Sequence, residues 1–379
     1  MRIVPERLSL VFFVPCLRGG GAERVAIEFL EHLDRSKFEL HLVLCQKKGQ
    51  LLDRIPSDVK VHVLGKQSFI SILPLIYRFL EVCKKIRPKA VISFLWYADA
   101  IQLQAQRLGG DWVSICSLHS NPRRLKNERF GKIKVAWMNY LYSHADAVLS
   151  VTQAVIDEFK HEFPRARTVL TAVQRNPFPI TKIKDLARVE SAKWPVPPGG
   201  RIVAVGSLEE VKGFDLLLEA LNALDVKQSW HLFVLGEGTQ KQDLVRQAES
   251  FGIDRNITFL GFQSNPYSVI ASSDILVLSS RFEAFPSVLI EALILETAIV
   301  SVDCPSGPAE ILDRGRRGCL VKRDRAALAE GIKGLLNSKS KRAYVTKAGL
   351  VWSAKFDSSL AACDLESIIL RTLEKRMAT

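Results

Sequence analysis

The 379-residue chain predicts an α/β fold: two Rossmann-like, doubly wound parallel-sheet domains facing across a cleft. Three observations carry that expectation: the length, two separate series of apolar strands alternating with helical stretches, and a proline-rich stretch between the series. One hydrophobic core rarely grows beyond about 250–300 residues, so two domains of about 150–200 residues each are the default. A hydrophobic fraction of 47% beside 25% charged residues excludes disordered and fibrous classes.

The first series opens at 8–14, an uninterrupted apolar run of the kind found in strands buried on both faces. A helix is expected over 22–33, directly after three glycines. Strands follow at 39–44, 60–64, 90–94, 112–117 and 147–151, with a helix at 72–86. The second series has strands at 201–205, 231–235, 257–259, 275–278, 298–302 and 318–321. Such β–α alternation builds parallel sheets. Residues 179–200, rich in proline and closing on Gly199-Gly200, read as a linker. The octapeptides starting at His144 and Ser272 echo each other, each placing an aspartate (Asp146, Asp274) before an apolar run. A terminal helix is expected over 358–371.

No apolar run approaches the roughly 20 residues of a membrane span, and the N-terminus reads as a strand, without the cleavage site of a signal peptide. The seven cysteines form no C-x-x-C pair, which favours free thiols in a reducing compartment. The net charge of +13 attracts anionic partners without choosing among nucleic acid, lipid and phosphorylated substrates.

Five constellations could carry chemistry. Gly19, Gly20 and Gly21 lie between the first strand and first helix, where free amides and the helix dipole favour an anion. A ligand-free tight turn is the ordinary alternative; G-x-G-x-x-G does not match and no Walker lysine follows. Around Glu283-Ala284-Phe285-Pro286, Pro286 suits the first turn of a helix that carries Glu291 among Val288, Leu289, Ile290, Ala292 and Leu293. A carboxylate in so apolar a helix needs hydrogen-bond donors, and vicinal ribose hydroxyls supply two. Gly206, Ser207 and Lys212 follow the first strand of the second series; from that turn a lysine can reach a diphosphate. His119 ends a strand, where ligand-facing side chains lie, although a lone histidine is more often structural. Finally, Arg123, Arg124, Lys126, Arg129, Lys132 and Lys134, interleaved with apolar residues and opposed only by Glu128, suit an anionic membrane surface, with a solvated helix face as the alternative.

This ordered set resembles the family-4 glycosyltransferases of the GT-B fold over nearly the whole chain. The most specific part is E-x7-E, here Glu283 to Glu291, followed by Cys304-Pro-Ser-Gly-Pro-Ala-Glu310. The resemblance implies an acceptor domain at 1–178, with a C-terminal helix at about 356–379 packing back on it, and a donor domain at 201–355. It implies that Glu291 binds the donor ribose and that Glu283 and His119 act at the transferred sugar. It further implies that Lys212, with Gly206 and Ser207, meets the diphosphate beside Ala284, Phe285 and Pro286. Gly19–Gly21 would hold the leaving phosphate or approach the acceptor. Family members generally retain anomeric configuration and need no metal, so no cofactor is implied; the missing D-x-D pair agrees.

Two places depart from the family pattern. Ser207 stands where an arginine usually pairs with the lysine, and Arg281 is a candidate substitute. Glu296-Thr297 stands where the helix of Glu291 usually runs into a glycine turn.

The segment at 304–310 looks like that of bacterial surface-glycan enzymes. The expected reaction transfers a hexose or N-acetylhexosamine from a UDP-sugar to a glycan or lipid-linked acceptor. The enzyme would be cytoplasmic, peripheral on the inner face of the cytoplasmic membrane. A UDP-sugar epimerase on the same fold is the nearest alternative. Nucleic acid is not expected as a partner, because the chain lacks the aromatic strand motifs and Cys/His spacings of familiar modules.

Overall fold

The computed structural model describes residues 7–65, 72–119, 122–127, 130–189, 200–224, 229–305 and 307–378. They form two compact units, Met1–Phe178 with Phe356–Thr379, and Pro179–Lys355.

In the first unit the strands are β1 (Leu8–Val14), β2 (Phe38–Leu44), β3 (Lys60–Val63), β4 (Ala90–Phe94), β5 (Val113–Leu118), β6 (Ala147–Ser150) and β7 (Leu170–Val173). All pair in parallel, in the order β3-β2-β1-β4-β5-β6-β7. The helices are α1 (Gly21–His32), α2 (Leu73–Ile86), α3 (Trp96–Arg107), α4 (Gly131–Tyr142), α5 (Gln153–Glu162) and the C-terminal helix Ser358–Met377. The period-2 rule is visible along β1. Leu10, Phe12 and Val14 enter the core shared with α1 and the C-terminal helix, and Val11 and Phe13 enter the core under α2 and α3. Ser358 Oγ bonds Glu28 of α1 at 3.2 Å, tying the chain's end to its first helix.

The second unit carries β8 (Gly200–Val205), β9 (Trp230–Leu235), β10 (Ile257–Gly261), β11 (Ile275–Leu278), β12 (Ala298–Val302) and β13 (Cys319–Val321). These too are parallel, in the order β10-β9-β8-β11-β12-β13. Its helices are α6 (Ile180–Val189), α7 (Phe214–Asn222), α8 (Lys241–Ser250), α9 (Tyr267–Ser272), α10 (Ser287–Ile294), α11 (Pro308–Ile311), α12 (Arg325–Leu336) and α13 (Lys339–Ser353). Residues expected as linker therefore include a helix: α6 buries Ile183 and Ala187 and packs on α9. Residues 190–199 lie outside the described residues. Strand β7 was not among the expected strands; its side chains are half-buried or exposed, so its apolar signal is weak.

The octapeptide echo has a structural meaning. Asp146 precedes β6, and its carboxylate accepts the amide of Ser114 on β5 at 2.7 Å. Asp274 precedes β11, and its carboxylate accepts the amide of Arg201 on β8 at 2.9 Å. Each aspartate pins its strand to the amino end of its neighbour, and each also meets an arginine, Arg376 or Arg342.

The Glu296-Thr297 departure leaves the helix ending intact. Thr297 N donates to Ala292 O at 2.9 Å and Glu296 N to Leu293 O at 3.3 Å, the two bonds of a Schellman ending. Glu296 itself takes the left-handed position, φ 57°, that glycine usually fills. Glu296→Gly is therefore expected to stabilise the second unit by up to about 1 kcal/mol, read as a raised urea midpoint.

The first unit buries a polar cluster. Asp99, fully buried on α3, accepts Ser93 Oγ at 2.5 Å and Tyr142 Oη at 2.8 Å, and Gln102 Nε2 donates to Ser93 at 2.6 Å. Burial pushes the Asp99 carboxyl up to about 7. In the unfolded chain it ionises near 4, so its penalty on folding is absent below about pH 4 and complete above about pH 7. Asp99→Asn should lose less stability than the wild type between pH 5 and pH 8, measured by urea midpoints at both.

Candidate functional site

In each sheet the strand order reverses between two central strands, β1/β4 in the first unit and β8/β11 in the second. Ligands of open parallel sheets bind beyond the carboxyl ends at such points.

At the β8/β11 switch point two loops are clamped together. Arg281 N donates to Val211 O at 2.8 Å, and Ser279 Oγ to Lys212 O at 3.2 Å. Gly213 sits under the clamp at φ 65°; a Cβ there would lie 2.2 Å from Ser279 O. The result is a contact between side chains 71 residues apart: Lys212 Nζ donates to Glu283 Oε1 at 2.6 Å. Ser280 Oγ donates to the same oxygen at 2.7 Å. The lysine side chain is 27% exposed and the glutamate 9%, so the charges meet where water screens them little. Beside them, burial first and the Glu283 charge second push the Cys304 thiol up to about 12, keeping it neutral.

Helix α10 follows the Glu283 loop, with Pro286 as its N-cap residue, one position before the first turn. Glu291 is buried on it, with Tyr267 Oη of α9 at 3.4 Å from Oε1. Ala284 and Phe285 are half-buried between Glu283 and the helix start, Gly206 is half-buried, and Ser207 is exposed. Arg281, the candidate substitute for the family's arginine, is already engaged within its own unit. Its guanidinium is held by both oxygens of Asp215, at 2.8 and 2.5 Å, and by Glu210 O at 2.6 Å. It fastens the two loops instead.

A third loop escaped the sequence reading. Gly236, at φ 142°, lies so close to the β8 loop that a Cβ would fall 1.9 Å from Gly206 O. Leu208 N then donates to Glu237 O at 2.9 Å, and Thr239 bonds Glu209 through both its amide and its hydroxyl. The signal was present as Gly236-Glu237-Gly238 directly after an apolar strand.

In the first unit the glycine loop follows β1 at the switch point. The amides of Gly19 and Gly20 donate to Glu23 Oε2 at 2.6 and 3.1 Å, so two donors expected to meet a ligand anion already hold a carboxylate. Across the switch point Leu95, between β4 and α3, has φ 75°, an uncommon conformation for a residue with a bulky side chain. His119 follows β5, its Nε2 at 2.9 Å from Ser117 Oγ and its ring stacked on Phe94 at 5.4 Å. Burial lowers it to about 4, so at neutral pH it offers a neutral imidazole.

The basic segment is less free than its composition implies. Arg123 pairs with Glu158 and Glu162 of α5, and Lys126 with Glu162. Arg124's side chain and Arg129 lie outside the described residues. Beyond them Phe130 and Ile133 are 63% and 70% exposed around Lys132, and Lys134 Nζ lies 5.0 Å from the Trp96 ring centre. Among the described residues no helix is long and apolar enough to cross a membrane.

Two family models match the chain, "Glycosyltransferase Family 4" over residues 19–173 and "Glycosyl transferases group 1" over 191–352. The chain is 28% identical over 356 residues to the Campylobacter jejuni N-acetylgalactosamine-N,N'-diacetylbacillosaminyl-diphospho-undecaprenol 4-alpha-N-acetylgalactosaminyltransferase, covering 90% of this chain and 93% of that protein. It is 24% identical over 307 residues to the amylovoran biosynthesis glycosyltransferase AmsD of Erwinia amylovora, covering 77% and 80%. The crystal structure of Anabaena HepE in complex with UDP superposes with a TM-score of 0.80 at 20% identity, covering 96% of this chain and all of that one. Two parallel Rossmann-like sheets, and the two models covering one each, place the chain in family 4 of the glycosyltransferases, with the GT-B fold. The relatives named are glycosyltransferases, which does not favour the epimerase reading.

Proposed function

We propose that this enzyme transfers a hexose or N-acetylhexosamine from a UDP-sugar, with retention and without a metal, to a lipid-diphosphate-linked glycan in bacterial surface-glycan assembly. The observation that carries the reading is the Lys212–Glu283 contact at the β8/β11 switch point, beside the start of α10 and the buried Glu291. Glu291 accepts the ribose hydroxyls. Lys212 and the helix start meet the diphosphate charge as it leaves, the role a metal plays elsewhere. Glu283 contacts the transferred sugar.

Support for the acceptor comes from the undecaprenol-diphosphate substrate in the name of the Campylobacter relative. Retention is carried by the family resemblance. The inner face of the cytoplasmic membrane is where such an acceptor meets a cytoplasmic UDP-sugar. The exposed Phe130 and Ile133 beside Lys132 suit anchoring there, an apolar contact reinforced by charge.

A panel of UDP- and GDP-sugars, each with a lipid-diphosphate-linked acceptor in anionic vesicles, tests the reading through nucleotide release and the anomeric configuration of the product. Acceptor-dependent UDP release, an α-linked product from an α-linked donor, and salt-sensitive vesicle binding are expected. Conversion of the donor without acceptor, or an inverted product, contradicts it.

A further inference from the structure

Glu283 is 8% exposed, and both of its hydrogen-bond donors reach one oxygen, Oε1: Lys212 Nζ and Ser280 Oγ. Oε2 has no hydrogen-bond partner among the described residues. The two donors differ in kind. Lys212 is a half-buried ammonium on a flexible stem, able to turn toward a stronger anion. Ser280 is fully buried, its hydroxyl sits one bond from Cβ, and its loop is fixed by the flanking bonds of Ser279 Oγ and Arg281 N. A diphosphate arriving at Lys212 competes with Glu283 for the ammonium. Stripped of both donors, a buried carboxylate would pay a desolvation penalty or rotate away.

We propose that Ser280 is a positioning residue for sugar transfer: its hydroxyl keeps Glu283 Oε1 bound while Lys212 serves the diphosphate, leaving Oε2 as the oxygen offered to the donor sugar. The inference rests on the assignment of Glu283 to the transferred sugar.

Steady-state kinetics of S280A, S280C and S280T, beside E283Q, test it, with UDP affinity by calorimetry as a check that the donor site is folded. S280A and S280C, which remove the strong donor, should lower kcat roughly tenfold or more with the donor KM within about threefold and UDP affinity kept. S280T, which keeps a hydroxyl, should recover most of the loss. Wild-type kcat in S280A overturns the inference, as does a kcat loss that S280T fails to recover while binding UDP normally. If S280T binds no UDP, the kcat-against-KM split of S280A and S280C decides: a rise in KM with kcat unchanged overturns it. An active E283Q overturns the assignment of Glu283 itself, whereas an inactive E283Q with wild-type S280A overturns only the role of Ser280.

Discussion

Glu283→Gln is expected to lower kcat by about a hundredfold or more, with UDP affinity retained. The substitution keeps the side chain's shape and its place on the β11 loop but removes the charge that Lys212 and Ser280 hold in position. A carboxylate at the reacting sugar acts on charge that develops only in the transition state, so its loss appears in kcat. UDP alone lacks the sugar and meets Lys212, which gains freedom when its partner is neutral. Steady-state rates of UDP release, paired with calorimetric UDP titration, separate the two effects. Weakened UDP binding with unchanged kcat would place Glu283 in nucleotide recognition instead.

The second large effect is on binding. Glu291→Ala is expected to weaken UDP by about 2 kcal/mol or more, roughly thirtyfold, because hydrogen bonds to an ionised group are worth about 1.5–3 kcal/mol. Tyr267 Oη of α9 lies 3.4 Å from this carboxylate, so the group is held in place on the second unit before any nucleotide arrives. The substitution replaces a polar group with a good helix former inside α10, so the helix should persist. Calorimetry on the folded variant gives the number, and an unchanged Kd removes Glu291 from the ribose.

The two sheets and the Glu283–Glu291 spacing were legible because each rests on local pattern. Continuous apolar runs mark strands buried on both faces, and Glu291 stands out as the one charge in an apolar helix. What stayed hidden depends on partners distant in the chain. Arg281 reads as a spare cation until Asp215, 66 residues away, is seen to hold it. Arg123 and Lys126 read as a membrane patch until Glu158 and Glu162 fold against them. The glycine loop reads as an empty anion cradle, yet Glu23, an ordinary first-turn acid in sequence, occupies two of its amides. Helix α6 was masked by the prolines around it. The Glu296 turn shows the reverse case, a backbone shape kept after the residue that signals it has changed.

The proposed reaction rests on a UDP site on the second unit that needs no metal, with Lys212 and the α10 start as the diphosphate's charge partners. Titration of UDP into the full-length protein, with magnesium and then with excess chelator, tests it most directly. Equal affinity in both conditions, lost in large part on Glu291→Ala, is the predicted result. Absence of UDP binding, or binding that the chelator abolishes, would contradict it.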